Sequence, residues 1–144
     1  MKKLLGVIVL GLLWCSTSYA NIIMQDLIDA LVETKKPKSI EVANNLKSTG
    51  DNDKSYDLVI RKANLNIEDA KNIATAIKKI DQNKGPQFVT ISMSFNEDLK
   101  DEGVITLLNH IPLTTSVIAF VECGITDKAG QAIIDWAAKT NNLN

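Results

Sequence analysis

Three times between Asp57 and the end of the chain, a short apolar stretch of alternating character leads through a polar turn into a segment with helical spacing. The stretches are Leu58-Val59-Ile60-Arg61, Val89-Thr90-Ile91-Ser92-Met93-Ser94 and Val117-Ile118-Ala119-Phe120-Val121. Their period of two predicts strands. After the first, Asn66 can cap a helix whose apolar residues Ile73, Ala76, Ile77 and Ile80 share one face. Val104, Leu107, Leu108 and Ile111 form the same pattern after the second stretch, and Ala129, Ile133, Trp136 and Ala137 after the third. Gly85-Pro86 and Pro112 stand where the first two helices must stop. Leu58, Ile60 and Ala63 superimpose on Ile91, Met93 and Asn96 after a shift of 33 residues, and on Ile118, Phe120 and Cys123 after a further 27. The unequal shifts place additional residues in the polar stretch from Asp81 to Gln87, where a longer connection costs little. A unit of one strand and one helix buries its apolar side only against neighbouring units, so the three have to stack.

The turn residues add a second signature. The third unit reads Ile118-x-Phe120-x-x-Cys123-x-Ile125-Thr126-Asp127-x-x-Gly130. The second reads Ile91-x-Met93-x-x-Asn96-x-x-Leu99-x-Asp101-x-Gly103, and the first Leu58-x-Ile60-x-x-Ala63-x-Leu65. With these residues, segment 57–144 resembles the leucine-rich repeats, in their longer ribonuclease-inhibitor-like form with a full helix per unit. Asn96 and Cys123 fall on the family's Asn-or-Cys turn position. Ala63 departs from it, Leu99 comes one residue late, and leucine is largely replaced by Ile, Met and Phe. The resemblance implies an α/β fold: a short solenoid of about three repeats, with parallel strands and helices on one side.

End units of such a stack need covers. Residues 22–33 have the spacing of an amphipathic helix with Asp26, Asp29 and Glu33 on its polar side, and Ser39 to Leu46 suggests a second, short helix. Segment 21–56 is therefore expected to be an N-terminal helical cap and linker, with Lys35-Lys36-Pro37-Lys38 as a solvated connection. The cap helix carries no basic residue, which disfavours an anionic membrane surface. Residues 1–20 have the plan of a cleavable export signal: Lys2 and Lys3, an apolar run from Leu4 to Trp14, and Ser18-Tyr19-Ala20 before the cut. That run is too short to span a bilayer, so no stable membrane span is expected after cleavage. The short Lys-Lys start and the absence of an Asn-x-Ser/Thr acceptor point to a periplasmic or secreted protein of a bacterium.

Processing would leave 14 basic and 17 acidic side chains, a balance of −3 that argues against nucleic acid as a partner. Of the two cysteines only Cys123 would remain, so no intrachain disulfide is expected. It is read as a small side chain filling the turn. His110, the single histidine, has no visible catalytic partner, and no phosphate loop, paired metal motif or Gly-x-Ser-x-Gly elbow occurs. Asp51-Asn52-Asp53-Lys54-Ser55-Tyr56-Asp57 opens like a calcium loop. It has Tyr56 where the glycine belongs and Lys62 where the bidentate glutamate belongs, so a solvated turn is expected. The acidic run Asn96 to Glu102 suits the first turn of a helix. Neither a metal nor a cofactor is expected.

Alternation sends Leu58, Ile60, Ile91, Met93, Ile118 and Phe120 inward and leaves Val59, Arg61, Ser92, Ser94, Ala119 and Val121 on an open, concave face. The function expected is a non-enzymatic module that binds a protein or peptide on that face. The alternatives are a small hydrolase or transferase on a doubly wound sheet, dependent on His110 or Asp101, and a calcium-stabilised envelope protein.

Overall fold

A computed structural model describes residues 24–48 and 54–140. The export signal expected at residues 1–20 lies outside the described residues, as do Asp51, Asn52 and Asp53 of the calcium-like loop.

Residues 24–33 are helical (α1), followed by α2 (Pro37–Ser48), β1 (Ser55–Val59), α3 (Ile67–Gln82), β2 (Gln87–Ser92), a 3-10 turn (Glu97–Leu99), α4 (Lys100–Leu108), β3 (Val117–Ala119) and α5 (Asp127–Lys139). Among the described residues the fold is mixed α/β, with a three-stranded parallel sheet in the order β1-β2-β3 and five helices. Leu58 pairs with Ile91 and Val59 with Ser92; Ile91 pairs with Ile118 and Ser92 with Ala119. The sheet register thus reproduces the 33- and 27-residue shifts along the chain. Pairing continues past the strand ends through Lys62 N–H to the Ser94 carbonyl, 3.2 Å, and Phe95 N–H to the Val121 carbonyl, 2.7 Å. α3 packs against α4, and α4 against α5.

Local chemistry sets the helix starts. Asn66 caps α3 in a capping box: its side chain accepts from Asp69 N–H, and the Asp69 carboxylate accepts from Asn66 N–H. Pro37 opens α2, where its fixed φ suits the first helical position and its missing N–H costs nothing. The Lys35–Lys38 run is therefore not a plain solvated linker: Pro37 and Lys38 belong to α2, Lys38 pairs with Glu41, and Lys36 holds Asp69 and the Asn64 carbonyl. Through Lys36, and through Lys79–Asp26 at 2.9 Å, the N-terminal helices are tied to α3.

Buried apolar residues form one cluster that runs from Met24, Leu27, Ile28 and Leu31 through Leu58, Ile60, Ile73, Ile77, Ile91 and Met93 to Phe120 and Trp136. Segments 21–56 and 57–144 therefore share an interior, and β1 begins at Ser55, two residues ahead of the expected boundary.

Candidate functional site

The open face of the sheet is a grid set by the register. Asp57, Thr90 and Val117 form one row; Val59, Ser92 and Ala119 form the next. Arg61, Ser94 and Val121 continue the pattern beyond the strand ends. The middle column, Thr90, Ser92 and Ser94, is hydroxylated, and adjacent strands stand about 4.8 Å away on either side. Val59 is 41 % exposed and Val121 57 %, while Ser94 is only 2 % exposed.

Burial divides the expected contact residues into two groups. Ser92 and Ser94 are buried: their hydroxyl oxygens lie 3.4 Å apart, and Ser94 Oγ accepts a hydrogen bond from Val121 N–H at 3.2 Å. These hydroxyls serve the sheet. Val59, Arg61 and Val121 are accessible, and Ala119 is half-buried. Three further residues of the face, Asp57, Thr90 and Val117, lie on the same alternation one step earlier and could have been found from the shifts of 33 and 27.

At the strand ends the backbone leaves the sheet at equivalent places. Lys62, Phe95 and Glu122 take positive φ values of 54°, 64° and 52°, each one residue before the turn position. This reorientation sets the Phe95 ring beside the first unit, with the Arg61 guanidinium 5.0 Å and the Lys62 ammonium 5.2 Å from its centroid. Among the described residues neither cation takes part in a salt bridge. No sequence pattern signals this cationic, aromatic corner, because strand alternation fails once φ turns positive.

Below the face, the turn residues tie the units together. Asn96 is fully buried and accepts at Oδ1 from Ala63 N–H, 2.9 Å, and Leu65 N–H, 3.1 Å. Its Nδ2 donates to the Ile60 and Met93 carbonyls at 2.9 and 2.6 Å. Cys123 does the corresponding work one unit later: Sγ donates to the Met93 carbonyl at 3.2 Å, and burial pushes its thiol pKa up. Each turn side chain reaches back to the preceding unit, which is why Ala63 needs no polar group of its own. Leu99 is fully buried although it comes one residue late, because the 3-10 turn Glu97–Leu99 takes up the additional residue.

Asp101 forms a bridge that sequence reading missed. Its carboxylate accepts from Thr126 Oγ1 at 2.6 Å, Thr126 N–H at 2.8 Å and Ala129 N–H at 3.3 Å. It thus caps the next unit's helix as well as lying in the first turn of its own. These bonds, the Thr126 hydroxyl first, hold its pKa below the ordinary 3.8. A carboxylate with a lowered folded-state pKa stabilises the fold above its unfolded pKa, and that stabilisation is lost as pH falls through the folded value. Asp101→Asn is therefore expected to be less stable than the parent at neutral pH, with the gap closing below about pH 4. Urea midpoints measured for both proteins from neutral to strongly acidic pH check this; a constant gap would contradict it.

His110 is half-buried just after α4, with Nδ1 2.8 Å from the Thr106 carbonyl. Among the described residues no group of three or more His, Cys, Asp or Glu is placed to hold a metal ion. A cleft of ≈ 440 Å³ beside the strand ends is lined by Glu97, Asp98, Lys100, Glu122 and Gly124.

Comparison of the chain with protein-family models, with curated proteins and with solved structures finds no match.

Proposed function

We propose that this chain is an exported, non-enzymatic binding module, a short leucine-rich-repeat-like solenoid that takes a protein or peptide on its open sheet face. The observation that carries this reading is the uncovered face itself, with Val59, Val117 and Val121 exposed beside the cations Arg61 and Lys62, which stand over the Phe95 ring. Parallel sheets are ordinarily covered on both faces, and repeat stacks are the setting in which one face stays bare and binds partners. The serial packing of α3, α4 and α5 supports helices on a single side. The equivalent turns at Lys62, Phe95 and Glu122 support a repeated unit, and the buried apolar residues of α1 and α2 support an N-terminal cap.

On this reading Val59, Arg61, Ala119 and Val121 make the side-chain contacts. Ser92 and Ser94 shape the trough without touching the partner. Arg61→Glu combined with Val121→Asp alters two exposed side chains that hold no part of the core. The double variant is expected to keep its circular dichroism spectrum and melting temperature and to lose its partner in affinity capture from an envelope extract of the native host. Capture at the parent level by a folded double variant would refute the assignment of this face.

A further inference from the structure

The flank beyond the third unit is built unlike the first two junctions. Ala74 of α3, Leu107 of α4 and Ile134 of α5 occupy one helix position, counted from the residue preceding each helix. Ala74 and Leu107 are fully buried, whereas Ile134 is 62 % exposed. The strand and turn residues follow suit: Leu58, Ile91, Leu65 and Leu99 are buried, but their third-unit counterparts Ile118 and Ile125 are only partly so. Among the described residues β3 has a strand on its β2 side only.

The two edges of the sheet also differ in charge. Around β1 stand Lys54, Asp57, Arg61 and Lys62, the kind of charge that keeps an edge from pairing. From Leu113 to Val121 no residue is charged. The β3 edge is thus an undefended pairing surface, with the exposed Ile134 of α5 beside it.

The geometry points to a second copy of this chain as the occupant, in a two-fold dimer joined through β3 and α5. A rotation of 180° about an axis normal to the sheet lays β3 antiparallel to its mate in a continuous six-stranded sheet. The same rotation places α5 against α5 of the partner, because both helices lie on the same side of that sheet. One operation therefore satisfies the open strand edge and the bare helix flank together, as an isologous interface requires. An extended peptide would pair with the edge and leave Ile134 in water. Charge permits the strand pairing, since an uncharged edge facing its own copy juxtaposes no like charges. β3 is three residues long, and stable interfaces bury about 800 Å² per partner, so the α5 flank has to take part.

Sedimentation velocity of the purified protein from low to high micromolar concentration tests this. A species of twice the chain mass is expected, shifting to the monomer on dilution. Ile134→Lys puts a charge on an already exposed position, so it should fold normally and weaken self-association at least tenfold. Val117→Lys, which adds an edge charge, should do the same. A protein that stays monomeric throughout would overturn the proposal, as would a dimer indifferent to both substitutions.

Discussion

Asn96→Ala is expected to lower the stability of the fold by about 4 kcal/mol, the largest effect of any single polar substitution in the described chain. The side chain is fully buried, accepting from Ala63 and Leu65 N–H and donating to the Ile60 and Met93 carbonyls. Alanine leaves two buried N–H groups without an acceptor, each costing about 1–3 kcal/mol, and opens a small cavity. Against a typical total of about 5–15 kcal/mol this is a large fraction, corresponding to a melting temperature lower by about 15 °C. Asn96→Cys separates donor from acceptor. The thiol of Cys123 already donates to Met93, so a thiol at 96 can donate to Ile60 but accepts poorly from Ala63 and Leu65. Its loss should fall between those of alanine and the parent. Thermal and urea unfolding of both variants would decide the matter, and an alanine variant within about 1 kcal/mol of the parent would show that the turn is not held this way.

Gly124→Ala is expected to cost about 3 kcal/mol, and for a reason other than backbone torsion alone. Gly124 has φ +65°, but Asn64 at the equivalent place in the first unit has φ 54° with a side chain present. The difference is space: a Cβ on Gly124 would lie 2.3 Å from the Glu97 carbonyl oxygen. Backbone would have to move, and the bond from Lys100 N–H to the Cys123 carbonyl, 2.9 Å, lies in the same stretch. Glu122→Ala is the control, since Glu122 already pays for a positive φ of 52° and alanine adds no new contact. It should unfold within about 0.5 kcal/mol of the parent. A loss at 124 of only the about 1–2 kcal/mol that a left-handed φ costs an L-residue would mean that torsion, not the close approach to Glu97, governs the position.

Both variants act on the layer of turns beneath the sheet, and that layer governs the proposed binding face only indirectly. Asn96 fixes the spacing between the first two strands, and Cys123 and Gly124 fix the next. The relative positions of Val59, Arg61, Ala119 and Val121 depend on both.

Much of this was legible in the chain because it depends on periodicity. Alternation at Leu58–Ile60, Ile91–Met93 and Ile118–Phe120 gives strands whose inward residues are apolar, and the recurrence of that pattern gives the register, since equivalent residues of the three strands lie side by side. The Asn66 cap and the helix at 24–33 were local signals of the same kind. Other features depend on groups far apart in sequence. Ser92 and Ser94 are buried between strands on either side, and Asp101 finds its partner at Thr126, in the next unit. Phe95 meets Arg61 and Lys62 only because the backbone turns left-handed at the strand end. A one-dimensional pattern fixes which side of its own element a residue takes; what stands beside it on the neighbouring element, and so whether it is reachable, is settled only when the units pack.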